Sequence, residues 1–248
     1  MSTVVLVHGA AMDASVWRYQ AEALAEAGFD PIAVDLPGHG ESEGEPSPTA
    51  KGYAGWLLAY LSVLGEPVHL VGHSMGALVV LEAAAAQPDR VRSVTLVGIS
   101  DPMAVNPELL EGVKNHDLSV FSSMAHWMHA REPIGEPEWT AHDTLGVIQR
   151  SRPGVAYADL TACNEFGSVA PTAARVEAPM LLLLGEQDVM TKPAKAKAIE
   201  DAARDARTVR VEGAGHLLPV ERPTVANEAL IEFLDEVESR ETEVERQK

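Results

Sequence analysis

The apolar positions of the chain fall into two rhythms. Short, mostly apolar and often β-branched runs occur at residues 3–7, 31–35, 68–71, 91–98, 179–184 and 208–211. Runs of this kind predict strands buried on both faces, as in a parallel sheet. Between them, apolar residues recur at helical spacing. Trp17, Ala21, Leu24 and Ala25 form one stripe, Tyr53, Leu57, Tyr60, Leu61 and Leu64 another, and further stretches follow at 77–86, 194–203 and 223–237. Asp13 or Ser15 can cap the first helix, and Gly28 and Gly65 stop the first two. The charged stretch 239–248 predicts a frayed helix or a tail. Strand–helix alternation predicts an α/β fold: a doubly wound, mostly parallel sheet of about six strands with right-handed crossovers.

The rhythm breaks between residues 101 and 175. No strand-like run occurs there, while Met103, Phe121, Met124, Trp127, Met128, Trp139 and Tyr157 are spread through helical or irregular text. An insertion after a strand, rich in flexible and aromatic apolar groups, predicts a helical cap over the sheet edge. A single domain over 1–248 is expected, with a core of 1–100 and 176–248 and a cap of about 101–175. Ligands of such sheets bind beyond the carboxyl ends of the strands, and His8, Ser74 and the residues after Gly98 all lie at that edge.

Composition narrows the partners. Asp and Glu total 37 against 19 Lys and Arg, a formal charge of −18 that repels nucleic acid and anionic membranes. A solvated acidic surface accounts for the excess, with adaptation to salt as the alternative. The single cysteine, Cys163, has no internal disulfide partner and fits a reducing compartment. The chain shows neither a signal-peptide pattern nor a membrane-length apolar segment, so a cytoplasmic protein with a small-molecule substrate is expected.

The sharpest chemical feature is Gly72-His73-Ser74-Met75-Gly76, which ends the third apolar run and opens a helical stretch. Gly-x-Ser-x-Gly between a strand and a helix is the nucleophile-elbow pattern. So tight a turn leaves no room for side chains two positions to either side of the serine. It lifts the Ser74 hydroxyl off the sheet and sets the Met75 N–H at a helix N-terminus, facing developing negative charge.

Three further signatures follow the ends of other strand runs: His8-Gly9, Gly185-Glu186-Gln187-Asp188 and Gly215-His216. With the elbow, these four, in this order, resemble the α/β-hydrolase family over nearly the whole chain. Asp35-Leu36-Pro37-Gly38-His39-Gly40-Glu41-Ser42 is similar to a structural loop common in that group. One departure is visible, because the first strand begins at residue 3 and the family's two N-terminal strands look absent. The resemblance implies a triad in the chain order Ser, acid, His. It also points to the backbone N–H groups of Ala10 and Met75 as oxyanion donors, whose side chains should then tolerate change.

Chemistry assigns the roles. A serine hydroxyl is a poor nucleophile near neutrality unless a base removes its proton. His216, on a Gly-rich loop with an imidazole that ordinarily titrates near ~6.5, is the candidate base. Asp188 would hold the imidazole tautomer and stabilise the imidazolium. Asp101 also follows a strand at the active edge, where some family members carry the acid; an N-cap before Pro102 is the preferred reading for it. His8 reads as a loop brace, and His39 and His73 as structural neighbours. His126 and His129, with His116 and His142 nearby, lack the spacing of a metal motif and read as cap surface. The expectation is a cofactor-independent, metal-free serine hydrolase that cleaves carboxylic esters of small to medium hydrophobic substrates through an acyl-enzyme. The same triad serves C–C bond hydrolases, lactonases and haloperoxidase-like enzymes. Gly9 disfavours a hydroxynitrile lyase, and Ser74 excludes the nucleophilic Asp of dehalogenases and epoxide hydrolases. A small-molecule receptor on this fold is the alternative from a different class.

Overall fold

Six strands pair in one sheet in the computed structural model, which describes residues 1–135 and 139–246: β1 (Thr3–Val7), β2 (Asp30–Val34), β3 (Val68–His73), β4 (Val91–Val97), β5 (Met180–Gly185) and β6 (Ala206–Val211). Their order is β2-β1-β3-β4-β5-β6, and every neighbouring pair is parallel. Parallel pairing needs a crossover between successive strands, so helices alternate with them. These are α1 (Arg18–Glu26), α2 (Ala50–Leu64), α3 (Met75–Ala86) and, after the helices between β4 and β5, α9 (Lys197–Ala202) and the closing α11 (Pro223–Arg246). β3 and β5, in the interior of the sheet, are buried at every position. The edge strands β2 and β6 are only partly covered, because one side of each has no neighbour. The chain runs outward from β1 to β2 and then reverses to β3, so the strand order switches between β1 and β3. That switch point opens the crevice in which doubly wound sheets bind ligands.

Between β4 and β5 lie α4 (Pro107–Lys114), α5 (Leu118–Trp127), α6 (Ala141–Arg150), α7 (Val155–Glu165) and the short α8 (Ala170–Ala173). Side-chain caps start three of them. Asn106 and Asp117 accept N–H bonds at α4 and α5, and Thr140 with Asp143 forms a reciprocal capping box at α6. Phe121, Met124, Val147, Ile148 and Leu160 bury into the same apolar cluster as the sheet, which fastens these helices to it. A further short helix, α10 (Leu218–Glu221), follows β6.

Two helices differ from expectation. On α1 the buried face carries Gln20 with Leu24, while Ala25 is exposed. Gln20 Nε2 donates to the Pro219 carbonyl and to Asn227 Oδ1, so a polar lock to the α10–α11 end of the chain joins the apolar contact made by Trp17 and Leu24. α11 does not stop at Val237 but continues through Arg246, and residues 247–248 lie outside the described residues. Ion pairs hold the extension: Arg240 with Asp205 and Glu236, and Arg92 with Glu238 and Glu241. No helix among the described residues is long and apolar enough to cross a membrane.

Candidate active site

β3 delivers Ser74 at a turn with φ 53° and ψ −115°, in the left-handed half of the map where a residue with a Cβ is strained. The two flanking glycines are a steric requirement. A Cβ on Gly72 would lie 2.2 Å from the Gly76 carbonyl oxygen, and one on Gly76 would lie 2.4 Å from that of Val7. α3 begins at once, and its first turn points N–H groups at the space above the turn. Neither the Met75 N–H nor that of Ala10 has a hydrogen-bond partner among the described residues. Both residues are buried, and orphaned buried donors are rare in folded chains. A Cβ on Gly9 would lie 3.2 Å from that of Ser74, so the Gly9–Ala10 backbone passes directly against the serine.

β5 and β6 supply the other two groups. His216 Nδ1 donates to Asp188 Oδ2 at 2.8 Å and shares its proton with Thr191 Oγ1 at 3.1 Å. Asp188 also accepts the N–H groups of Met190 and Thr191 and the Thr191 hydroxyl, so it caps its own turn and holds the imidazole at once. Burial pushes the Asp188 carboxyl up, but the neighbouring His216 and the Thr191 donors outweigh it and leave it below the ordinary carboxylate range. With Nδ1 engaged, Nε2 is the nitrogen left for Ser74. No hydrogen bond joins it to Ser74 Oγ among the described residues, a contact that in unliganded sites often tightens only with substrate. Asp101 does not reach His216. No helix opens at Pro102; the Asp101 carboxylate instead takes the Ser168 hydroxyl and the N–H groups of Val169 and Ala170, so it caps the start of the distant α8.

The other histidines of the site brace backbone. His8 Nδ1 donates to the Gly9 carbonyl and Nε2 accepts the Leu36 N–H. Burial, with His39 alongside, lowers its pKa to about 4, so it is neutral. His73 Nε2 donates to the His216 carbonyl, and burial with the nearby His216 brings its pKa down to about 3. His129, expected on the surface, is half-buried and bonds Thr144 Oγ1, whereas exposed His126 bonds its own helix at the Ser122 carbonyl. Among the described residues, no three His, Cys, Asp or Glu side chains gather as a metal site would require.

Sequence reasoning missed three residues. Thr191 backs the Asp188–His216 contact; a hydroxyl three residues after the acid was the available signal. Asp159, fully buried on α7, accepts the Ala11 N–H at 2.8 Å, His39 Nε2 at 2.8 Å and the Tyr53 hydroxyl at 2.6 Å. It therefore ties α7 to the loop that carries Ala10. Burial pushes His39 down, yet the hydrogen bond and charge of Asp159 prevail and its pKa is raised. Glu221, at the end of α10, accepts the Ala130 and Gly215 N–H groups, the latter one residue before His216. Burial pushes its carboxyl up to about 7, against the pull of those two donors. Both are acids in apolar text, a signal visible only once the burial of α7 and α10 is known.

Ser74 and His216 open onto one cavity of about 480 Å³, whose wall includes Met103, Trp127, Leu160 and Cys163. Burial pushes the Cys163 thiol up, so it stays protonated and unreactive.

The model of the alpha/beta hydrolase family matches residues 4–229. The chain is 29% identical over 226 residues to the pimeloyl-[acyl-carrier protein] methyl ester esterase of Chromobacterium violaceum, covering 86% of each protein. It is 23% identical over 287 residues to the bifunctional epoxide hydrolase 2 of Rattus norvegicus; there it aligns over 93% of its own length and spans about half, 51%, of that relative. Among solved structures, a thermophilic esterase from Thermogutta terrifontis superposes with a TM-score of 0.86 at 26% identity, over 96% of this chain and 90% of that one. The chain belongs to the α/β-hydrolase family and is an enzyme of that family.

Proposed function

We propose that the enzyme hydrolyses carboxylic esters of small to medium substrates through an acyl-enzyme on Ser74. The observation that carries the reading is the Asp188–His216 hydrogen bond, which leaves Nε2 as the open nitrogen in the cavity that Ser74 lines. Ser74 Oγ attacks the ester carbonyl carbon as its proton passes to His216 Nε2. The carbonyl oxygen becomes an oxyanion between the Ala10 and Met75 N–H groups, the two donors with no other acceptor. The intermediate collapses, the C–O bond to the alcohol breaks, and the imidazolium returns its proton to the departing alcohol. A water then gives a proton to Nε2 and attacks the acyl carbon; the acid leaves and Ser74 regains its hydrogen.

The esterase named among the relatives supports this reaction class. The epoxide hydrolase does not carry over, because this elbow holds a serine where such enzymes use an aspartate. Exchange of Ser74 for alanine is the test. Ser74→Ala keeps the wild-type circular dichroism and loses on the order of 10⁴-fold or more in kcat toward short-chain nitrophenyl esters. Hydrolysis by that variant at a rate near wild type contradicts the proposal.

A further inference from the structure

We propose that the natural substrate carries an ionised carboxylate beyond the ester, read by three cations at the cavity mouth. This rests on the ester-hydrolase reading above. Among the described residues, the charged side chains that line the cavity are Arg131, Lys192 and Lys195, and no Asp or Glu lines it. That sign is opposite to the chain's own, which is −18 overall. Two separate stretches of the chain supply them. Arg131 follows α5, and Lys192 and Lys195 lie on the segment that leads from Asp188 to α9. All three are exposed, and none of their side chains has a hydrogen bond or ion pair among the described residues. Arg92, Arg207 and Arg240, by contrast, are paired with carboxylates, and Arg152 donates to three backbone carbonyls. Neighbouring carboxylates are committed elsewhere: Asp188 to His216 and Glu221 to backbone N–H groups. Asp101, whose own N–H meets the Lys195 carbonyl, is committed to the Ser168 hydroxyl and the N–H groups of Val169 and Ala170. Glu132, next to Arg131 in the chain, forms no ion pair with it among the described residues.

An acidic protein repels an anionic substrate over most of its surface, and a group of three unpaired cations lining the site offsets that repulsion there. Met103, Leu109 and Leu160, all buried, add an apolar part to the same lining. A substrate that fits has its ester carbonyl at Ser74, a short hydrocarbon stretch along this wall and a carboxylate at the mouth: a dicarboxylic half-ester, or an ester whose alcohol bears the acid.

Two matched pairs test this. The first is mono-4-nitrophenyl adipate against 4-nitrophenyl hexanoate, the second 3-(4-acetoxyphenyl)propanoate against 4-propylphenyl acetate. Members of a pair differ only by a carboxylate in place of a methyl, on the acyl side in one pair and on the alcohol side in the other. At low salt, kcat/KM is expected to favour the charged member of at least one pair roughly tenfold, the scale of two or three exposed ion pairs. The ratio falls toward one in about 1 M salt, where the screening length is only about 3 Å. It falls likewise in the triple variant Arg131→Gln/Lys192→Gln/Lys195→Gln, but persists in Arg210→Gln, which removes an exposed cation outside the cavity. Charged members that are cleaved no faster than their neutral partners in both pairs overturn the proposal and leave the ester-hydrolase reading standing. Absence of turnover for every ester overturns both.

Discussion

Two polar clusters flank Ser74, and they follow opposite rules. On the side of the Ala10 loop, the titratable side chains are saturated: both ring nitrogens of His8 and of His39 are bonded, and Asp159 takes three donors. On the side of His216, Asp188 and Thr191 converge on one nitrogen and leave the other free, while His73 Nδ1 is buried with no partner. The difference matches the tasks assigned above. A cluster that only holds backbone in place gains by satisfying every group and fixing every charge. A cluster that must take up and return a proton needs one nitrogen uncommitted, with its opposite nitrogen held. The two sides also fasten the helices between β4 and β5 differently. α7 is held by a three-donor carboxylate beside a histidine whose pKa is raised, and Ala130 by a carboxyl whose pKa is pushed up to about 7.

The contrast can be broken from either side. Asp188→Asn removes the group that holds the His216 tautomer and is expected to lower kcat by on the order of 10⁴, with Asp101→Asn far milder. Equal losses in ester assays would move the acid to Asp101. Asp159→Ala strips three donors of their buried acceptor and is expected to cost about 3–5 kcal/mol in urea unfolding. A loss under about 1 kcal/mol, within the range of an ordinary surface change, contradicts the saturated-cluster account.

Glu221 sharpens the comparison through pH. Its folded pKa lies above that of a free carboxyl, so the native state holds the extra proton between the two values. Stability from this group is full at low pH and is lost as pH rises through about 7. Glu221→Gln lacks that titration, so the variant's Tm, relative to wild type, is expected to rise between pH 5 and pH 8, by a few degrees for a change of about 1 kcal/mol. A wild-type advantage that grows over the same range has the wrong sign for a buried carboxyl. The smallest effect belongs to Met75→Leu. This swap nearly conserves volume and costs below about 1.5 kcal/mol, and because the proposed oxyanion contact uses only the backbone N–H of Met75, kcat should stay within about threefold.

The parts of the molecule that the sequence made legible are those written locally. Each strand is a short apolar run, and Ser74, Asp188 and His216 each follow such a run in a Gly-bearing turn, so parallel pairing gathers them at one edge of the sheet. What stayed hidden depends on partners far along the chain. Asp159 meets Ala11 across 148 positions and Tyr53 across 106, and nothing near Asp159 announces either contact. The burial of Gln20 is equally unannounced locally, because its acceptors, Pro219 and Asn227, belong to the other end of the chain. The charged stretch after Val237 read as a frayed helix or a tail, and the ions that firm it up, Asp205 and Arg92, lie beside and on separate strands.

The central claim is that Ser74 is the residue that becomes acylated. Treatment with a fluorophosphonate, which reacts with an activated serine and stays attached, followed by peptide mass mapping, addresses it most directly. The account predicts one adduct per chain, on the peptide that contains Ser74, formed in step with loss of esterase activity and strongly reduced in Asp188→Asn. Loss of activity with the adduct on another residue, or full esterase activity in a chain quantitatively labelled at Ser74, would contradict it.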